Sequence, residues 1–266
     1  MASYSGKAIA LKRLRVFHGT AEERIKIRKK FCKEALIWQQ LRHRFVLPFL
    51  GIDVVTFAPL MCMVSPWMSN GTIIQCLERT DPLDVNLDAI LLEIAEGLAY
   101  LHDSGLVHGD LRGVNILVDD NWHVQLSDFG LTDIIESTQR SSSRGGSVRW
   151  MAPELINPRA FLDEVFRRTT ASDIYSFGCV CLELYTLQIP FSYIAHDTTV
   201  LLEVINGVRP SIPSVHDCHG RSMSPEMWDL ITGCWVDEPG KRPTIQEVAL
   251  IVQRLIGDTA ATTTGI

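Results

Sequence analysis

The chain has 266 residues, of which 46% are apolar and 21% charged, with 18 Gly and 12 Pro. That supports one large folded domain or two small ones around a substantial core, and excludes a disordered or collagen-like chain. The net charge of −6 excludes the overall basicity of a nucleic-acid or membrane binder.

Charge is unevenly spread. Residues 1–50 hold 12 Lys+Arg and 3 Asp+Glu, a net of +9, so the rest carries 13 − 28 = −15. Lys7–Leu14 alternates polar and apolar residues and reads as a short strand. Ala21–Leu41 reads as a helix, with Ile27, Phe31, Ala35, Trp38 and Leu41 at spacings of three and four and cations on its other faces. Val46–Gly51 and Val54–Val64 read as two strands, and Ser69-Asn70-Gly71 as a turn. Asn86–His102 predicts an amphipathic helix closed by Ser104-Gly105. Val107–Val118 and His123–Gln125 predict short strands around polar loops, and Ser137–Gly146 a polar loop. Ala171–Leu187 is apolar nearly all round, the pattern of a buried helix. Pro225–Cys234 and Thr244–Leu255 are further helices, and the tail 258–266 is expected to fray. The pattern predicts an α+β chain in two lobes: a small strand-rich one to about residue 66, a connection at 66–71, and a larger helical one at 72–257.

The seven cysteines are odd in number and form no CxxC pair, which points to a reducing compartment. The N-terminus shows no apolar signal region, and the longest apolar stretches contain Pro and are too short to span a bilayer. The expectation is a cytoplasmic protein with no membrane and no nucleic-acid partner. His216, Cys218 and His219 lack a fourth ligand at zinc spacing and read as an ordinary loop.

The chemistry concentrates in one array. His108-Gly109-Asp110-Leu111-Arg112-Gly113-Val114-Asn115 is followed thirteen residues later by Asp128-Phe129-Gly130. Hard cations such as Mg²⁺ take oxygen ligands and share them with substrate phosphates, which an Asp and an Asn on neighbouring loops can supply. A separate carboxylate can then accept a hydroxyl proton and orient the nucleophile.

With these motifs in order, the chain resembles a protein kinase domain over about residues 7–256, in the bilobal α+β kinase fold. Ile9-Ala10-Leu11-Lys12 resembles the V-A-I-K strand, which implies Lys12 on the α- and β-phosphates of ATP and Glu34 as its ion-pair partner. The resemblance implies Asp110 as the base, Arg112 on the γ-phosphate, and Asn115 and Asp128 as Mg²⁺ ligands. Ser65, Pro66 and Met68 resemble the gatekeeper and hinge that hold adenine, with Leu117 as the floor. Ala152-Pro153-Glu154 matches A-P-E, Arg242 resembles the partner of that glutamate, and Asp173 the anchor of the catalytic loop. Trp38, Phe49, His108 and Phe129 fall where kinases stack a spine across the lobes. RWMAPEL and Cys234-Trp235 resemble the tyrosine-kinase-like group, mostly Ser/Thr kinases, and Gly146-Ser147 fits that choice. Arg112 stands where Ser/Thr kinases usually have Lys. The resemblance implies a protein substrate, and the basic Arg24–Lys33 helix is a place for a regulatory protein.

Two departures stand out. No G-x-G-x-x-G occurs anywhere, and Gly6 is the only glycine before Lys12, so the first hairpin of the small lobe is expected to be missing or incomplete. The usual H-R-D arginine is Gly109, so an Arg–phosphate pair with a phosphorylated activation loop loses its main partner. A scaffold that uses the fold without turnover, and a fragment of a longer kinase, stay open as alternatives.

Overall fold

The computed structural model describes residues 2–4, 6–13, 20–58, 60–129, 148–161 and 167–263. The loop at 137–146, Gly130 and Gly146-Ser147 lie outside these residues.

The front of the chain is a four-stranded antiparallel sheet in the order β1-β2-β4-β3, from β1 (Ala2–Tyr4), β2 (Lys7–Arg13), β3 (Gly51–Asp53) and β4 (Cys62–Pro66). Strand β1 goes beyond the sequence pattern. It forms a hairpin with β2, the strand that carries Lys12, pairing Ala2 with Ile9 and Tyr4 with Lys7. The β2–β4 register sets Lys12 opposite Met63 and Ala10 opposite Ser65. Helix α1 (Ala21–Gln40) packs on this sheet through β3. Its predicted apolar stripe is buried at Ile27, Phe31, Ala35 and Trp38.

The two long apolar runs at 46–64 make less strand than their composition suggests. Val46 forms only an isolated bridge with Leu126. After Asp53 the chain turns because the Asp53 carboxylate accepts the N–H groups of Val55 (2.7 Å) and Thr56 (3.1 Å), which ends β3.

Helices dominate the remainder: α2 (Ile73–Leu77), α3 (Leu87–Asp103), α4 (Pro153–Ile156), α5 (Thr170–Thr186), α6 (Asp197–Ile205), α7 (Pro225–Cys234) and α8 (Ile245–Thr263), beside a hairpin of β5 (Ile116–Val118) and β6 (Val124–Leu126). Helix α3 starts where predicted because the Asn86 side chain accepts from Ala89 N–H at 3.0 Å. Its residues Leu91, Ile94, Leu98 and Leu101 are wholly buried, each worth about 1.5–3 kcal/mol. Helix α7 matches its predicted span, capped by Ser224 with Pro225 in the first turn. Helix α8 runs on to Thr263, past Leu255, so the residues at 258–263 are helical where fraying was expected; Ala260 and Ala261 are strong helix formers. Among the described residues no helix is long and apolar enough to cross a membrane.

Candidate active site

The site forms where the β5–β6 hairpin meets the loop before it. Ile116 pairs with Leu126, which sets Asn115 and Ser127 side by side just outside the hairpin. Ser127 fixes this junction twice, since its N–H (2.9 Å) and its hydroxyl (2.8 Å) both donate to the Asn115 carbonyl. Asp128 follows directly. Sequence reasoning missed Ser127; the signal is a serine next to a metal-type aspartate at a strand end.

Asn115 in turn organises Asp110. Its Nδ2 donates to the Asp110 carbonyl (2.7 Å) and to Asp110 Oδ2 (2.8 Å). That commitment of the amide nitrogen leaves Oδ1 as the lone-pair donor of the Asn115 side chain. Arg112 approaches the same Asp110 oxygen at 3.3 Å, so Asp110 Oδ1 is the oxygen left for a further donor. The donor set of Asn115 Oδ1 and the Asp128 carboxylate consists of oxygens only, which fits a hard divalent cation.

Lys12 enters from the sheet, and its amine donates to Asp128 Oδ1 at 2.5 Å. Among the described residues Lys12 forms no ion pair with Glu34, the partner expected of it. Asp128 has a left-handed φ of 62°, a conformation Asp tolerates better than most residues. Its half-exposed carboxylate is the one that meets the half-exposed amine.

Behind these groups runs the predicted stack. Trp38 lies 5.2 Å from Phe49 and 5.7 Å from Phe129, and Phe129 lies 6.2 Å from His108, centroid to centroid. Trp38 also donates its indole N–H to the Leu47 carbonyl at 2.7 Å, which fixes the end of α1 to the segment leading into β3. Burial holds the His108 imidazole below the usual histidine range, so the ring packs as a neutral aromatic.

Asp173, buried near the start of α5, anchors the catalytic loop. It accepts from the N–H groups of His108 (2.7 Å) and Gly109 (2.8 Å) and contacts His102 Nε2 at 2.9 Å. Those bonds hold Gly109 at a φ of 78°, which glycine adopts freely and an L side chain does not. Gly109→Arg, which rebuilds the H-R-D pattern, is therefore expected to lower stability by about 1–2 kcal/mol. Equilibrium denaturation would measure it, and an unchanged midpoint would refute the strain argument.

The predicted adenine segment lies along β4 and the turn after it. Ser65 is buried, its hydroxyl directed to the Pro66 carbonyl at 3.4 Å, and the Trp67 N–H donates to the Ala8 carbonyl. Leu117 is brought beneath the segment by a bridge to Thr72. The Met68 carbonyl already accepts from Gly71 N–H at 3.1 Å, so one of its lone pairs is used by the turn. Ser69 and Asn70, which the sequence marked only as a turn, tie the segment to the larger lobe. Ser69 bonds Asp120, and Asn70 donates to the Asp119 carbonyl.

Glu154 and Arg242 form a buried two-pronged pair at 2.6 and 2.7 Å. All seven cysteines are free.

The family model for protein tyrosine and serine/threonine kinases matches residues 3–252. The chain is 28% identical over 254 residues to the serine/threonine/tyrosine-protein kinase HT1 of Arabidopsis thaliana, covering 94% of this chain and 61% of the relative. It is 28% identical over 256 residues to the serine/threonine-protein kinase STY17 of the same plant, covering 96% and 41%. To the serine/threonine-protein kinase CTR1, also from that plant, it is 32% identical over 265 residues, covering 96% and 30%. The chain thus spans between about a third and three-fifths of the length of these relatives.

Proposed function

The chain belongs to the protein tyrosine and serine/threonine kinase family, and from that premise we propose that it transfers the γ-phosphate of ATP to a protein hydroxyl, serine or threonine in preference to tyrosine. One observation carries the reading: Lys12 bonds Asp128, Asn115 bonds Asp110, and Ser127, the chain neighbour of Asp128, brings the two pairs together by bonding the Asn115 carbonyl.

When bound, ATP would supply the transferable phosphoryl group, and Mg²⁺ the positive charge that stabilises its oxygens. Asp128 and Asn115 Oδ1 would hold the metal. Lys12 would leave Asp128 for the α- and β-phosphates. Asp110 Oδ1 would accept the hydrogen bond of the acceptor hydroxyl and orient it. Arg112, beside Asp110, would neutralise charge on the γ-phosphate, its planar fork suiting phosphate oxygens. Ser65, Pro66, Met68 and Leu117 would line the adenine pocket. In this reading residues 1–257 act as one kinase domain with the hinge at 66–71. Seven free thiols fit a cytoplasmic setting. An acidic regulatory protein would suit the outer face of α1, where Arg28, Lys29 and Lys33 are exposed.

A second reading, a binding module without turnover, is favoured by the lack of a G-x-G-x-x-G sequence. One experiment decides between them. Labelled γ-phosphate is followed from ATP with Mg²⁺ to a general protein substrate, with Asp110→Asn as the control. Transfer that depends on Asp110 supports the kinase. Equal labelling by both proteins defeats it, and nucleotide-dependent thermal stabilisation without transfer supports the binding module.

A further inference from the structure

Helix α5 carries a carboxylate that the chemistry above does not use. Glu183 is buried in an otherwise apolar stretch of the helix. One of its oxygens, Oε2, accepts two N–H groups: Gly113 N–H at 2.9 Å, from the residue after Arg112, and the Trp150 indole N–H at 2.8 Å, from just before Ala152-Pro153-Glu154. Close approach is built in on the loop side. A Cβ on Gly113 would lie 2.6 Å from Ile74 Cγ1 and 3.0 Å from Glu183 Oε1, so only glycine lets the catalytic loop descend to this carboxylate.

We infer that Glu183 is a positioning residue for phosphate transfer: its single oxygen fastens the catalytic loop to the end of the activation segment and fixes where Arg112 stands. The inference rests on the kinase reading. The charged group acting on Glu183 from the catalytic loop is Arg112, which also touches Asp110. The turn at Val148–Trp150 brings the indole together with Arg149, whose guanidinium is held by Asp197 at 2.8 Å. Helix α2 brings the apolar Ile74. On its own helix lies the Cys179 thiol, which burial pushes up and keeps neutral, and α7 brings Cys234, pushed up in the same way.

Burial raises the Glu183 carboxyl from its ordinary 4.5 to about 7. Between those values the folded state keeps a proton that the unfolded chain releases. The stability contribution is therefore full below about 4.5 and is lost as the pH rises to about 7. The ionised form is the one that grips both N–H groups and Arg112 most strongly.

Glu183→Gln and Glu183→Ala test this in the full chain. Glu183→Ala should lower kcat by about ten- to a hundredfold, the loss of one or two charge-assisted hydrogen bonds, with KM for ATP little changed. Glu183→Gln keeps an acceptor oxygen and should recover most of that loss. It should also lack the rise of kcat through pH 7 that is expected of the wild type, and its stability relative to wild type should grow between pH 4.5 and 7. A third readout needs no turnover: the Trp150 indole proton, followed by NMR, should titrate with a midpoint near 7 in the wild type and not in Glu183→Gln. An indole signal that ignores pH in the wild type overturns the link. So does wild-type kcat in Glu183→Ala. If the wild type shows no Asp110-dependent transfer while the indole still titrates, the kinase reading has failed and the positioning role falls with it, leaving only the structural link.

Discussion

Asp110→Asn is expected to lower phosphate transfer by about 10²- to 10⁴-fold, the range a positioned general base supplies. The geometry says why the loss should fall on chemistry and spare the fold. Asp110 Oδ2 is spent on Asn115 and Arg112, and the Arg112 contact lies between partly exposed groups, so its loss costs about 0–1 kcal/mol. The amide carbonyl that replaces the carboxylate can still accept from Asn115. What the amide cannot do is take a proton from the acceptor hydroxyl, because an NH₂ group stands where the second oxygen was. Single-turnover rates at saturating ATP, beside thermal unfolding of both proteins, separate the two effects. A rate loss below about threefold would remove Asp110 from the role of base. A large fall in unfolding temperature would make it a structural residue instead.

The positions of these groups were legible in the sequence to different depths. Helices α3 and α7 were read to within a residue from their apolar spacing, and for α3 the Asn86 start and the Ser104-Gly105 stop agree with it. The stack of Trp38, Phe49, His108 and Phe129 and the anchoring by Asp173 were legible only through the order of motifs. Composition says nothing about which aromatic rings will meet. The runs at 46–64 misled because strand length there is decided by one side chain, Asp53, bonding its own downstream backbone. A turn of that kind outweighs several β-branched residues.

The partner of Lys12 was not legible. Motif order pointed to Glu34, while the amine meets Asp128, 116 residues further along the chain, and no spacing rule links the two. Glu183 could have been singled out. A carboxylate within a buried, mostly apolar stretch of helix must bring hydrogen-bond partners with it or not ionise at all. Its partners, Gly113 and Trp150, are distant in sequence and no spacing rule points to them.

Breaking the Glu154–Arg242 pair should cost the fold about 3–5 kcal/mol, because both groups are removed from water and either one alone becomes an uncompensated buried charge or an empty socket. The guanidinium does more than neutralise Glu154. It also donates to the carbonyls of Val236 (2.8 Å) and Ala171 (2.9 Å), and it lies 5.3 Å from the centre of the Tyr175 ring. One side chain therefore joins α4, the first turn of α5 and the segment after α7. Arg242→Lys keeps the charge but loses the fork and most of these donors, so it should behave like a loss and not like a conservative change. At about 2–4 °C per kcal/mol for a domain of this size, Glu154→Gln or Arg242→Lys should lower the unfolding temperature by roughly 6–20 °C. The paired replacement Glu154→Leu with Arg242→Met removes both charges together and should recover a large part of that fall. A double-mutant cycle by thermal denaturation measures the coupling directly. Additive losses would mean that the two groups are stabilised separately by their other contacts and that the pair itself holds nothing together.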